Sequence, residues 1–278
     1  MSGSLRVGVV GGSGWLGTAI AKSMLDSGFV HHDALTLSYR SSRSDVFPGV
    51  HWTTDNQKLA DRSDVIVLSV RPADWTSLSL NVDSKLIISV MAGITLTQLS
   101  QSHGTSRVVR AMPNAAAEVH QSWTPWVASP NVDRDDRSVV RHLFNACGTS
   151  DEVQGESQID YLSGLAGSGP AFPALLAKAM HQHAVSRGIS EELAQRAVVS
   201  LLVGTGRLFE RLNGSPSRLV EAFLDFQGTT AAAIEAMQGA GFTVAIERGL
   251  EEAERKSVSL GEQISGLPPS GRPVAPPA

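Results

Sequence analysis

Two glycine-bearing stretches carry residue types and spacings that can do chemistry. Near the start of the chain, Val7, Val9 and Val10 run into Gly12-Ser13-Gly14-Trp15-Leu16-Gly17, the G-x-G-x-x-G spacing. The first glycine permits a tight turn, the second lets backbone N–H groups approach a pyrophosphate, and the third lets helix and strand pack closely. A helix expected from about Trp15 to Ser27, ended by Gly28, then points its partly positive N-terminus at those phosphates. The second stretch is Asp225-Phe226-Gln227-Gly228-Thr229-Thr230, a turn feeding another helix. There the N–H groups of Gly228, Thr229 and Thr230 form an anion site, and either hydroxyl can donate a proton or a hydrogen bond to a substrate atom. Taken alone, this pattern is more often simple helix capping.

The elements between these stretches decide what is held. A second strand, Leu35 to Tyr39, ends in Ser38-Tyr39-Arg40-Ser41-Ser42-Arg43 with no acidic residue. An acid there would bond the adenosine ribose and select NAD, whereas Arg40, Ser41 and Arg43 suit a 2′-phosphate through charge-assisted bonds. NADPH is therefore expected and NADH disfavoured. Asp64 to Val70 is an apolar run of the kind a covered parallel sheet requires, and it ends at Arg71-Pro72. Leu86 to Val90 leads through Ala92-Gly93 to a helix beginning near Thr95, and Arg107 to Ala111 ends in Met112-Pro113-Asn114. This βαβ succession puts Val70, Arg71, Pro72, Ala92, Gly93 and Asn114 at strand carboxyl ends, where the nicotinamide should lie. Trp123 to Val127 is expected as an outer strand and Val139 to Cys147 as a helix, with Trp123 and Trp126 adding aromatic surface near the crevice.

From about Ile159 the pattern is helical only. Pro170 opens a helix running to about Arg187, and Ser190 caps another that continues to about Leu212. Both are apolar around much of their circumference, so a partner subunit is expected to cover them. Shorter helices follow at Arg218 to Leu224 and Thr229 to Gln238, then an amphipathic one over Thr243 to Leu260. The Pro/Gly/Ser-rich tail from Ser265 is expected to be disordered.

Composition narrows the class further. The 278 residues suffice for two domains, and a formal charge of -4 offers no basic face for nucleic acid. The longest apolar run, near Lys85 to Met91, is too short to span a bilayer, and the short polar opening Met1 to Ser4 is not signal-like, so a cytoplasmic location is the default. The single cysteine, Cys147, excludes an intramolecular disulfide and reads as a small buried thiol. His181 and His183 lack an acidic partner at ligand spacing, and no metal is assigned.

Several motifs occur together in one order: the fingerprint, Val70-Arg71-Pro72, Met91-Ala92-Gly93-Ile94-Thr95, Arg110-Ala111-Met112-Pro113-Asn114, Gly167-Ser168-Gly169-Pro170-Ala171-Phe172, and Gly228-Thr229-Thr230 with Gly241-Phe242 downstream. From about Leu5 to Leu260 the chain resembles pyrroline-5-carboxylate reductase. The resemblance implies an α/β fold with an N-terminal Rossmann-type dinucleotide-binding domain (1–158) and a C-terminal all-helical dimerisation domain (159–264), the tail 265–278 lying outside both. It implies reduction of a cyclic imine acid to proline with NAD(P)H, in a homodimer or higher oligomer with shared active sites. By the same resemblance the backbone of Gly228 to Thr230 holds the substrate carboxylate, Thr230 hydrogen-bonds the imine nitrogen, and Met112, Pro113 and Asn114 border the nicotinamide. The departures are Arg71 for the family's lysine, Ala115-Ala116 for its Thr-Pro, and Asp225-Phe226-Gln227 for its Ser-Pro-Gly. Asp225, placed where a small hydroxyl would help hold a carboxylate, keeps a different imine substrate open; as a cap of the following helix it would instead leave proline formation intact. A hydroxyacid dehydrogenase is disfavoured because Pro173 stands about where its catalytic lysine would be. A non-catalytic dinucleotide-binding protein explains Gly228-Thr229-Thr230 poorly.

Overall fold

The computed structural model describes residues 5–43, 45–211 and 215–265. The expected disorder of the tail therefore falls outside the described residues, apart from Ser265. Eight strands form one sheet in the order β3-β2-β1-β4-β5-β6-β7-β8. Its centre is made of β1 (Val7–Val10), β2 (Leu35–Ser38), β4 (Val65–Leu68), β5 (Leu86–Ser89) and β6 (Val108–Ala111), all fully buried. These strands pair in parallel, and their buried, mostly apolar residues fit a sheet covered on both faces. One apolar cluster includes Val9, Ile20, Met24, Leu37 and Phe144; a second, across the sheet, includes Leu59, Ile66, Ile87 and Leu99.

Three elements escape the sequence pattern. β3 (His51–Thr53) adds to β2 at the edge, α2 (Asn56–Asp61) follows it, and β8 (Gly148–Glu152) pairs with β7 (Ser122–Ala128). β7 is antiparallel to β6. The helices start where side chains satisfy free N–H groups: Asp55 accepts from Gln57 and Lys58 at α2, and Thr95 and Gln98 form a capping box at α3 (Leu96–His103). Asp133 caps α4 (Arg134–Ala146), which begins well before Val139. By contrast α1 (Trp15–Asp26) has no side-chain cap and no acid in its first turn.

The chain divides into two compact units, Met1–Ser168 with Glu251–Ala278, and Gly169–Leu250. The first holds the sheet and α5 (Glu156–Leu162). In the second, α6 (Ala171–Ser186) packs on α7 (Glu191–Arg211), and α8 (Pro216–Asp225) on α9 (Thr229–Gly239). A last helix, α10 (Phe242–Ser265), carries the chain from the second unit back into the first. Within Gly169–Leu250 only Ala194, Val198 and Ala231 are buried among the described apolar residues, while Leu175, Val199, Val203 and Phe226 stand exposed. Apolar surface on that scale is what a partner subunit covers.

Candidate active site

β1 has β2 on one side and β4 on the other, so the chain reverses direction across the sheet there, and a crevice opens beyond the strands' carboxyl ends. A cavity of about 570 Å³ lies at this point. Its floor is built by the fingerprint turn. Gly11 has φ +80°, and a Cβ on it would lie 2.4 Å from the Ser69 carbonyl oxygen, so only glycine turns the chain there. Gly11 N–H donates to Ser38 Oγ at 3.1 Å and Gly14 N–H to the Gly11 carbonyl at 3.0 Å, which fixes the turn. Gly17 brings α1 against it, since an added Cβ would meet the Gly11 oxygen at 2.4 Å. With Gly14 as the N-cap and no side chain satisfying α1, the first N–H groups of the helix remain available to an anion.

Of the residues expected to hold a dinucleotide, Ser13, Gly14, Trp15, Arg40, Ser41, Val70 and Arg71 line this cavity together. Gly12, Leu16 and Gly17 support the turn from outside its walls. Arg43 also stands outside and approaches Asp45 at 3.9 Å, leaving Arg40 as the lining arginine after β2. Pro72 begins a short 3₁₀ turn after β4. Gly93 lies against α10: a Cβ there would sit 2.7 Å from the Ser257 oxygen and 2.8 Å from the Gly261 nitrogen, and Ala92 beside it is likewise not a lining residue. Asn114 is occupied in shaping the turn after β6, its Nδ2 donating to the Ala166 carbonyl at 3.0 Å and its Oδ1 accepting from Ala116 N–H at 2.9 Å.

The sequence reading overlooked Asp74. It lines the cavity and accepts from Arg40 Nη1 at 3.1 Å and Arg71 Nε at 2.9 Å. The hydrogen bond from Arg71 holds its carboxyl below the ordinary carboxylate range. The i, i+3 spacing from Arg71 was a usable signal; the meeting with Arg40 was not. Trp15, which is exposed, donates its indole N–H to the Glu118 carboxylate and so ties the fingerprint turn to the segment after Asn114. Trp126, expected near the crevice, is instead fully buried in the apolar cluster that holds Val109 and Phe144, while the adjacent Val127 is buried in a separate cluster. Trp123 donates to Asp151 at 2.7 Å.

On β6, two residues before Met112, a buried arginine anchors an ionic cluster that residue types alone did not reveal. Arg110, on β6 and almost inaccessible, donates to Glu156 at 2.6 Å and Asp160 at 2.8 Å. Glu156 also accepts the Leu96 N–H at 2.9 Å, so one carboxylate joins β6, α3 and α5. Cys147 is buried, and burial pushes its thiol up to about 11, which makes it unreactive near neutral pH.

In the helical unit, Gly228 is the N-cap of α9, again with no side-chain cap, and Thr229 and Thr230 are exposed in its first turn. No side chain satisfies the first N–H groups of this helix. Asp225 does not cap this helix. It is the last residue of α8, and the left-handed Gln227 (φ 47°) separates it from α9. Among the described residues its carboxylate has no ion-pair partner, which leaves it free in solvent.

A mostly parallel sheet with its crossover at β1, an uncapped helix over a cavity at that crossover and a separate helical unit define a dinucleotide-dependent oxidoreductase. Residues 156–260 match the family model for pyrroline-5-carboxylate reductase dimerisation, and residues 6–93 match that for NADP oxidoreductase, coenzyme F420-dependent. The pyrroline-5-carboxylate reductase of Kluyveromyces lactis is 32% identical over 215 residues, covering 76% of this chain and 74% of that one. That of Pseudomonas aeruginosa is 31% identical, covering 75% and 79%. The solved structure of a pyrroline-5-carboxylate reductase from Coxiella burnetii superposes with a TM-score of 0.83 at 27% identity, covering 93% and 99% of the two chains. The chain belongs to the pyrroline-5-carboxylate reductase family. Its dimerisation region supports homo-oligomerisation, and among the described residues no helix is long and apolar enough to cross a membrane.

Proposed function

We infer that this protein reduces pyrroline-5-carboxylate to proline with NADPH. The observation that carries the reading is the cavity beyond β1, where an uncapped helix N-terminus meets Arg40, which stands at the end of β2 in place of the acidic residue of an NAD site. Its volume is in the range of small-molecule sites, and the glycine turn gives a phosphate group backbone access, so the residues present fit a dinucleotide. We assign dinucleotide binding to residues 1–158 and dimerisation to 159–264; the family matches that support this cover 6–93 and 156–260.

When bound, the cofactor would supply a hydride from nicotinamide C4 to the carbon of the protonated imine, whose C=N π pair becomes the lone pair of the product amine. The chain supplies binding and orientation. The turn from Gly12 to Gly17 holds the pyrophosphate by backbone N–H groups, and Arg40 and Ser41 hold the 2′-phosphate. Gly228, Thr229 and Thr230 bind the substrate carboxylate through the free N–H groups of α9, and Thr230 hydrogen-bonds the imine nitrogen. Val70 and Arg71 line the cofactor side, and Pro72 opens the turn that follows them. We further propose that each site takes its dinucleotide half from one subunit and its α9 half from a partner, because so little of the helical unit is buried alone.

Two measurements test this. Purified protein given pyrroline-5-carboxylate and NADPH should oxidise the cofactor and form proline; bound cofactor without turnover would refute the reading. Gly14→Val and Thr230→Val chains, inactive separately, should regain activity when mixed and refolded, whereas a stable, active monomer in sedimentation would refute shared sites. A different imine acceptor is the second reading. It is favoured by Asp225, which no helix cap consumes and whose charge would oppose a substrate carboxylate bound at α9.

A further inference from the structure

In the cavity, one carboxylate sits between two guanidinium groups that arrive from different strands. Arg40 follows β2 and Arg71 follows β4, while Asp74 reaches both from the 3₁₀ turn that Pro72 opens. Asp74 Oδ1 is 3.1 Å from Arg40 Nη1 and 3.3 Å from Arg71 Nη2, and Oδ2 is 2.9 Å from Arg71 Nε. Asp74 is the most sheltered of the three, its side chain 29% exposed against 78% for Arg40 and 72% for Arg71. One of Arg40's five N–H donors is thus engaged by a carboxylate, and the trio carries a net charge of +1 rather than +2.

We propose that Asp74 is the residue that sets discrimination between dinucleotides with and without a 2′-phosphate. A dianionic phosphate approaching Arg40 must displace this carboxylate or accept it as a like-charged neighbour across one guanidinium group, which weakens its binding. A ribose that carries only hydroxyls meets no such opposition. Asp74 moreover provides the acidic acceptor that the end of β2 lacks, delivered from the neighbouring strand β4. The two arginines favour NADPH, and Asp74 limits the margin and lets NADH be used. The inference rests on the dinucleotide reading above.

Calorimetric titration of the full-length protein tests it, comparing wild type with Asp74→Asn, which keeps shape and removes charge. The probes are NADPH, NADH, and the fragment pair adenosine 2′,5′-bisphosphate and AMP. The Asn variant should bind NADPH and the bisphosphate about tenfold more tightly, from loss of one like charge roughly 6 Å away, with NADH and AMP unchanged or weaker. Raising the salt concentration should shrink the gain. Asp74→Ser should reproduce it if the Asn variant folds poorly, and Asp74→Glu should retain wild-type selectivity. An unchanged affinity ratio overturns the proposal. So does weaker NADPH binding, which would make Asp74 an aligner of the arginines. Wild-type protein that binds NADH and AMP normally but gains nothing from the 2′-phosphate would overturn the NADPH reading as well, so the two failures are distinguishable.

Discussion

His103 should make this protein lose stability in mild acid. It ends α3 with its ring almost wholly inaccessible, edge-on to Trp75 at 5.0 Å, and neither ring nitrogen has a well-formed hydrogen bond. Burial pushes the imidazole from 6.5 down to about 4, with the Leu80 backbone pulling the other way. Above pH 6.5 the ring is neutral in both folded and unfolded chains, and it contributes no pH dependence. Between pH 6.5 and about 4 the unfolded chain takes up a proton that the folded chain refuses, so stability falls as pH falls. Below about 4 both states are protonated and the loss is complete. The full interval corresponds to about 3 kcal/mol, most of it gone by pH 4.5. Denaturant unfolding at fixed protein concentration, at pH 7.5 and 4.5, should be compared for wild type and His103→Phe. The phenyl ring keeps the contact with Trp75 and removes the titration. The variant should match or exceed wild-type stability at pH 7.5 and lose about 2–3 kcal/mol less on acidification. An equal acid loss in both proteins would refute the argument, since the carboxylates held low by Arg6, Lys22 and Arg71 are common to the two.

Arg110→Ala removes a buried guanidinium that bonds two half-buried carboxylates, so it should cost about 1.5–3 kcal/mol, read as a lower thermal midpoint. An unchanged midpoint would deny the cluster its role. Arg40→Ala should raise the KM for NADPH about tenfold or more, the worth of one charged hydrogen bond, with NADH kinetics barely changed. An equal loss with both cofactors would sink the 2′-phosphate assignment. If Asp225 opposes a substrate carboxylate at about 4 Å, Asp225→Ser should raise kcat/KM on pyrroline-5-carboxylate tenfold or more while leaving unsubstituted pyrroline unchanged, an effect of about 1–4 kcal/mol. Equal rates on both imines before and after substitution would show that Asp225 does not face the substrate.

The sequence alone determined whatever local chemistry enforces. Buried parallel strands need unbroken apolar runs, so β1, β4 and β5 were legible to within a residue or two. The Gly14 and Gly228 helix starts were visible because their residue types announce a turn with free N–H groups. Other features depend on where the chain returns. β3 and β8 are short and largely exposed, and only pairing with β2 and β7 makes them strands, so no periodicity marked them. The positive φ fell on Gly11, one residue ahead of the spaced triplet, because the Ser69 carbonyl closes on it from β4's end. Gly93 turned out to abut α10, and Trp126 to be core rather than crevice. Arg40 and Asp74 are 34 residues apart and share no local pattern. They meet because the sheet order seats β2 and β4 on either side of β1, which brings the loops after both strands over a single crevice.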